Sequence, residues 1–191
     1  DFGKHIIPLS LRQRNVFAYP FSGFWEDIGT VRSYYEVHMQ MAGPNPPLEL
    51  FTPKNVIYTH PRYLPGARFE DVRIQNSIIC EGCRIQRAEI VNSVVGIRSV
   101  IGKNTTIRRS IIMGADFLVP ESEEGRETSP GIGPGSHIEN AIVDKNARIG
   151  SRVFIRGSRK LPDMENHHFA VRDGIVCVLK NAVIPHGTRI E

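Results

Sequence analysis

One carboxylate in the sequence has the surroundings of a metal ligand. Asp27 follows Glu26 at the end of an aromatic-rich segment, and Thr30, three residues later, is a good N-cap for a helix. Because a helix N-terminus attracts phosphate groups, a divalent metal ion held by Asp27 would lie near a bound phosphate. An equally consistent interpretation is that Asp27 and Thr30 only cap the helix, and the residues alone leave both interpretations open.

Two lysines are candidates for holding an anion. Lys145 and Lys180 each follow a short aliphatic segment and precede an asparagine. At a corner after a strand, such a side chain projects outward with its aliphatic stem packed on the surface. The ordinary interpretation of either residue alone is a solvated surface lysine.

The charge balance suits a small anionic ligand better than a nucleic acid. The formal net charge is +4, from 24 Lys and Arg against 20 Asp and Glu, and the surplus is spread along the chain. Sugar phosphates need only two or three positioned cations. Nucleic-acid binders concentrate Lys and Arg on one element, often with aromatic residues, and this sequence has no such block. We therefore expect no nucleic-acid partner.

The cysteines and one glycine-rich segment look structural. Cys80 and Cys83 have a C-x-x-C spacing but lack a second ligand pair or a thioredoxin-like context, so we interpret them as structural thiols. With Cys177 the number of cysteines is odd, which argues against a disulfide framework and for a reducing compartment. Segment 131–135 lacks the lysine of a phosphate loop and is expected to be a turn.

A six-residue repeat predicts the elements that must position these side chains. Branched aliphatic residues recur at intervals of five or six, with Gly, Asn and Ser between them. They are Ile74, Ile79, Ile85, Ile90, Val95, Ile101, Ile107, Ile112, Ile132, Ile138, Val143, Ile149, Ile155, Ile184 and Ile190. This hexapeptide pattern is typical of a parallel β-helix, in which each such residue points inward and stacks on its counterpart one coil away. An antiparallel sandwich is the alternative, but its strands would alternate apolar and polar residues.

Glycines and interruptions of the repeat predict corners and insertions. We expect the corner glycines to adopt a positive φ; they are Gly82, Gly96, Gly102, Gly150 and Gly187. The repeat is interrupted near 114–131 and near 157–170. Loops that leave one corner of a solenoid often form a binding or subunit surface.

The remaining sequence divides into a short N-terminal region and a connection. Residues 1–43 predict one strand, at 15–21, and one helix that begins after Thr30 and is stopped by Gly43. They are too few for an independent core, so we expect them to pack on the rest of the chain or on something outside it. Residues 44–71 are a linker and entry to the solenoid, which occupies 72–191. There is no apolar run of the roughly 18 residues that a membrane span needs and no signal peptide, and a start at Asp1 suggests a piece of something longer.

Six separated motifs give the sequence a specific resemblance. They are WEDIGT (25–30), YTHPRYLP (58–65), SVVGIRS (93–99), MGAD (113–116), IVDKNARIG (142–150) and RDGIV (172–176). In this order they resemble the C-terminal half of the ADP-glucose pyrophosphorylases, also called glucose-1-phosphate adenylyltransferases.

The resemblance implies a fold and an activity. The fold would be mainly β, a left-handed parallel β-helix preceded by a strand–helix remnant, residues 1–43, of a Rossmann-like nucleotidyltransferase domain. The family makes ADP-glucose and pyrophosphate from ATP and glucose 1-phosphate with Mg²⁺, for glycogen or starch synthesis, as an allosterically controlled tetramer. A cytoplasmic or plastid location is implied. We expect this fragment alone to be inactive and to retain no Mg²⁺.

The resemblance also assigns roles to single residues. Asp27 matches the family's catalytic, metal-binding aspartate. Lys145 and Lys180 match its cationic activator positions, and Arg62 and Asp144 match residues that line the same anion site. A phosphorylated effector would then bind between the β-helix and the catalytic domain.

Two rival functions stay open. Hexapeptide-repeat acyltransferases also use a left-handed β-helix, usually as trimers with a histidine base at subunit boundaries. The available bases are His137, His167, His168 and His186. The other rival is a non-catalytic scaffold that binds only anions and partners.

Overall fold

The computed structural model describes residues 1–53, 56–123 and 129–191. From Arg68 onward the chain forms three sheets of short strands, numbered in chain order. The first sheet contains β1 (Arg68–Glu70), β4 (Arg84–Gln86), β7 (Val100–Ile101), β10 (Gly131–Ile132), β13 (Arg148–Ile149) and β18 (Val183–Ile184). The second contains β2 (Arg73–Gln75), β5 (Glu89–Val91), β8 (Thr106–Arg108), β11 (His137–Glu139), β14 (Phe154–Arg156) and β19 (Arg189–Ile190). The third contains β3 (Ile78–Ile79), β6 (Val94–Val95), β9 (Ile111–Ile112), β12 (Ala141–Val143), β17 (Ile175–Val178), β16 (Phe169–Arg172) and β15 (Met164–Glu165). Apart from β15 and β16, each strand pairs in parallel with a strand of a neighbouring coil, so the predicted parallel β-helix is confirmed.

The repeat residues form continuous inward stacks, as the sequence predicts. In the second sheet, Ile107 is in register with Ile90 on one side and Ile138 on the other, and all three are fully buried. The first sheet stacks Ile85 on Ile101 in the same way. Each side chain is thus covered above and below by a branched aliphatic group, which is how a solenoid builds its core from neighbouring coils.

The prediction for the corner glycines was wrong at three of five positions. Gly82 and Gly187 have a positive φ, but Gly96, Gly102 and Gly150 do not. At Gly96 an added Cβ would lie 2.5 Å from the carbonyl oxygen of Met113, and Gly102 and Gly150 are similarly close to the backbone of the following coil. These three positions need glycine because two coils approach closely there. Many corners instead place Asn or Arg in the left-handed region, which asparagine tolerates well.

The two interruptions have different structures. The second interruption contains a hairpin in which β15 and β16 pair antiparallel. After the turn at Asp173, β16 also pairs antiparallel with β17, so the hairpin extends the edge of the third sheet. In the first, a short 3₁₀ turn at Glu121–Glu123 is held near the first sheet by Arg68, whose guanidinium lies 3.1 Å from the Glu121 carboxylate. Residues 124–128 of this predicted insertion, and 54–55 of the predicted linker, lie outside the described residues.

In the N-terminal region, one predicted element is present and one is not. The predicted strand at 15–21 was wrong: this segment pairs with no strand among the described residues, and Phe17 and Tyr19 are both 88% exposed. A π-helix (Phe2–Ile6) and α1 (Ile7–Gln13), which the sequence did not predict, precede it. Helix α2 (Val31–Ala42) is confirmed, with a capping box formed by Thr30 and Ser33 and its end at Gly43.

Helix α2 packs on the outer face of the third sheet. Tyr35 is 5% exposed, contacts the cluster formed by Ile111, Ile142 and Ile175, and donates its hydroxyl to the carbonyl of Arg109 at 2.6 Å. At the first turn of the helix, Arg32 donates to the carbonyl oxygen of Asp173 at 2.8 Å. Helix α2 therefore packs on the β-helix of the same chain and needs no partner from outside it.

Within the described part of the chain, no helix is long and apolar enough to cross a bilayer.

Candidate functional site

The two predicted lysines lie side by side at one corner of the solenoid. Lys145 follows β12 and Lys180 follows β17, and these strands pair with Val143 opposite Val178. The next hydrogen bond of the ladder runs from the backbone N–H of Asn181 to the carbonyl of Lys145 at 3.0 Å. The lysines therefore occupy equivalent positions on successive coils, which are separated by about 4.8 Å. Although 35 positions apart in the sequence, they form one cationic feature.

Asp116 joins the two lysines. Its Oδ1 lies 3.2 Å from the Nζ of Lys145, and its Oδ2 lies 3.2 Å from the Nζ of Lys180. The three side chains are 38 to 51% exposed, so solvent screens these ion pairs and their net contribution to stability is small. We call Asp116, Lys145 and Lys180 the lysine corner.

Asn146 fixes the geometry of the lysine corner from beneath. It is 6% exposed, and its side-chain oxygen accepts the backbone N–H of Asp116 at 2.8 Å. Its Nδ2 donates to Oδ2 of Asp116 at 3.0 Å and to Oδ1 of Asn181 at 3.2 Å. One buried amide thus ties together three successive coils, and its three hydrogen bonds leave little freedom for rotation.

These contacts keep Asp116 ionised. The hydrogen bond from Asn146, followed by those from Lys145 and Lys180, lowers the pKa of Asp116 from its ordinary 3.8 to about 2. Because the folded-state pKa lies below the unfolded value, the ionised carboxylate stabilises the folded protein above the ordinary pKa, and this contribution is lost as the pH falls toward 2.

A pH titration should show this effect directly. We expect the carboxyl ¹³C signal of Asp116 to titrate near pH 2, and the stability difference between the wild type and Asp116→Asn to shrink as the pH falls from about 5 toward 2. NMR of ¹³C-aspartate-labelled protein and urea unfolding at several pH values measure the two quantities. A carboxyl midpoint near 4 would show that the hydrogen bonds from Asn146, Lys145 and Lys180 do not hold this carboxylate in its ionised form.

The lysine corner lies next to helix α2. Asp144 precedes Lys145 and accepts its backbone N–H at 2.6 Å. Tyr34 of α2 has a raised pKa, first because of burial and second because of the negative charge of Asp144. Asp144, which adjoins the lysine corner in the chain, is therefore close enough to α2 for its charge to act on Tyr34.

The structure does not bring Arg62 into the same cluster. Arg62 is exposed in the extended segment before β1, and among the described residues it makes no ion pair. Its role at the anion site therefore stays a prediction.

Asp27 caps a turn. It is exposed, and its Oδ1 accepts the backbone N–H of Gly29 at 3.0 Å, one residue before the α2 N-cap. No group of three or more His, Cys, Asp or Glu side chains able to hold a metal ion occurs in the described ranges. Asp27 thus fits a divalent cation as a single ligand of a site completed by other groups, and its capping role is the one seen here.

The cysteines have the properties of structural thiols. Cys83 is 1% exposed and donates its thiol to the carbonyl of Gly96 at 3.1 Å. Burial raises the pKa of Cys83 to about 11, as it does for Cys177, and it raises the pKa of Cys80 as well. A nucleophilic or metal-binding cysteine needs a lowered pKa instead.

The four histidines considered as bases lie on separate elements. His137, on β11, stacks on Phe154 and lies 3.2 Å from a Glu139 oxygen. His186 follows β18 and accepts the backbone N–H of Ser151 at 2.7 Å, whereas His167 and His168 are exposed in the turn between β15 and β16. Nothing in this arrangement favours the acyltransferase alternative.

Sequence reasoning missed two residues of the site, Asp116 and Asn146. A signal for Asn146 was present, because both lysines are followed by asparagine, the residue that suits a left-handed corner. Asp116 ends the MGAD motif, but nothing in the sequence relates it to Lys145, since an insertion and a full coil separate the two. Only the pairing of β9 with β12 on neighbouring coils shows that Asp116 lies beside Lys145.

The coiled strands, the three inward stacks and the corner that presents paired lysines define a hexapeptide-repeat β-helix protein. A family model described as the GLGC left-handed parallel beta-helix domain matches residues 62–189, which is more than half of the chain. The chain therefore belongs to this family, whose domain forms the C-terminal part of ADP-glucose pyrophosphorylases. This match establishes the left-handed parallel β-helix that the family resemblance implied.

Proposed function

We propose that this chain is the assembly and regulatory part of a glucose-1-phosphate adenylyltransferase and that its lysine corner binds a phosphorylated effector. The observation that supports this most is the pairing of Lys145 and Lys180 on adjacent coils, beside α2, in a chain of this family. Two ammonium groups at this separation match the oxygens of one phosphate, with which they form charge-assisted hydrogen bonds.

Allosteric control needs a path from the effector to the catalytic region. Helix α2 supplies a physical one, because it packs on β12 and β17, the two strands that lead into the lysines. An anion that moves Lys145 and Lys180 acts on the ends of these strands, and Asp27 lies just before the same helix. A coupling free energy of about 1 to 3 kcal/mol is typical of such regulation. Arg62 and Asp144 complete the proposed anion site.

The proposed reaction joins ATP to glucose 1-phosphate with release of pyrophosphate. Mg²⁺ would neutralise phosphate charge in that displacement, and Asp27 would be one of its ligands. Because Asp27 is the only residue here that the resemblance assigns to catalysis, we propose that the 191-residue chain alone is inactive. We also propose a homotetramer and a cytoplasmic or plastid location for the complete enzyme.

Phosphate binding to the 191-residue chain tests the proposed site. We expect Lys145→Ala and Lys180→Ala each to weaken the binding of inorganic phosphate about tenfold, because each removes one of two cations that hold the anion. Isothermal titration calorimetry measures this binding. Lys103→Ala is the matched control, since Lys103 also precedes a left-handed asparagine but lies at a different corner.

Equal affinities for the wild type and both corner variants would refute the proposed anion site. Pyrophosphate release from ATP and glucose 1-phosphate tests the activity separately. Turnover by the purified 191-residue chain would show that its own residues suffice for catalysis, contrary to the proposal.

A further inference from the structure

Asp116 occupies the position that a bound anion would take. Its two oxygens are divided between the two lysines, at 3.2 Å each, as two oxygens of a phosphate would be. In the described part of the chain, no other carboxylate forms an ion pair with either lysine. The ligand of the lysine corner in this structure is therefore a side chain of the same protein.

One carboxylate already faces both lysines. Lys145 and Lys180 carry two positive charges, and Asp116, which contacts both ammonium groups, carries one negative charge. A phosphate dianion that entered with Asp116 in place would meet a like charge within contact distance, and like charges so close repel strongly. The attraction of the lysines becomes available to a ligand only when the Asp116 carboxylate moves away.

The structure allows the side chain of Asp116 to move while its backbone stays. The backbone N–H of Asp116 is held by the buried Asn146, and the preceding Ala115 is 2% exposed. The carboxylate itself is 41% exposed at the start of the excursion that leaves the solenoid. Rotation about the Asp116 side-chain bonds would release both lysines to an incoming anion at the cost of the 3.0 Å hydrogen bond from Nδ2 of Asn146, which would keep its bond to Asn181.

We infer that Asp116 is a built-in competitor that occupies the lysine corner and must be displaced by the phosphate group of an effector. This inference rests on the proposed function, in that the lysines are taken to bind a phosphate. It adds that the affinity of the corner is set by an internal carboxylate. An incoming anion then has to bind the two lysines more strongly than the Asp116 carboxylate does, which favours a dianionic phosphate over a singly charged ion.

Removal of the carboxylate charge tests the inference. We expect Asp116→Asn to bind inorganic phosphate at least about tenfold more tightly than the wild type, because the amide keeps the shape of the side chain but does not repel the anion. Asp71→Asn is the matched control. Asp71 is likewise an exposed aspartate near a cation, 3.8 Å from Arg87, and its left-handed φ suits asparagine.

Calorimetry with phosphate, on folded proteins verified by circular dichroism, distinguishes the outcomes. Tighter binding by Asp116→Asn with unchanged binding by Asp71→Asn supports the inference. Equal or weaker binding by Asp116→Asn overturns it, because Asp116 would then position the lysines for the ligand. If the lysine variants bind as well as the wild type, the proposed anion site fails instead, whatever Asp116→Asn does.

A second measurement needs no variant. The carboxyl ¹³C signal of Asp116 in the wild-type chain should shift as phosphate is added and should saturate with the affinity measured by calorimetry. An unchanged signal at saturating phosphate would show that Asp116 stays on the lysines, and it would overturn the inference.

Discussion

Gly114→Ala should destabilise the protein by about 4 kcal/mol or more, which places it among the largest effects of single substitutions. Gly114 has a φ of +84°, and an added Cβ would lie 2.0 Å from the carbonyl oxygen of Ile97 in the adjacent coil. Both atoms belong to backbone, so the clash cannot be relieved by a side-chain rotation. The carbonyl of Gly114 also accepts the backbone N–H of Asn146 at 3.0 Å, so the lysine corner should loosen as well.

Gly187→Ala is the control that separates the clash from the backbone conformation. Gly187 has a similar φ of +71°, but nothing lies within 4 Å of an added Cβ. We expect it to cost about 1 kcal/mol, the ordinary cost of a left-handed residue with a Cβ. Urea unfolding of both variants measures the difference. Similar values for Gly114→Ala and Gly187→Ala would show that coil contact does not determine the need for glycine.

Ile107→Ala should cost about 3 to 4 kcal/mol. Ile107 is fully buried, with Ile90 on one side and Ile138 on the other, so its truncation leaves a cavity enclosed by two coils. The neighbouring coils cannot collapse into the space without breaking their own register. The free energy of unfolding, from urea denaturation, is the quantity to measure.

Ile74→Ala is the matched control in the same stack. Ile74 pairs with Ile90 but belongs to the first coil, and it is 39% exposed. Its truncation should cost less than about 1.5 kcal/mol, because only one neighbouring coil covers it. A cost at Ile74 equal to that at Ile107 would contradict a core built from neighbouring coils.

Most of the fold could be predicted from the residues because the repeat is local. Each inward aliphatic recurs after about six positions, and this interval alone predicts the coil and the residues that stack. The segment 15–21 shows the limit of such reasoning. Its aromatic residues suit a strand, but a strand needs a partner, and none of the described residues supplies one.

The site was predictable only in part. The sequence predicts Lys145 and Lys180 only one at a time, because each follows an aliphatic strand at a corner and therefore projects outward. That they are neighbours depends on the excursion with the β15–β16 hairpin, which lengthens the sequence between them without adding a coil. The role of Asp116 depends on a hydrogen bond to Asn146 across 30 positions.

The sequence by itself determined the solenoid, the inward stacks, the capped helix α2 and the two lysines, because these follow from spacing within a coil or a helical turn. Only the tertiary structure decided which coils become neighbours after an insertion. It thereby placed Lys145 beside Lys180, Asp116 between them and α2 on the third sheet. The physical reason is that contacts between coils are made by residues 16 to 35 positions apart, and the length and path of the insertions set that separation.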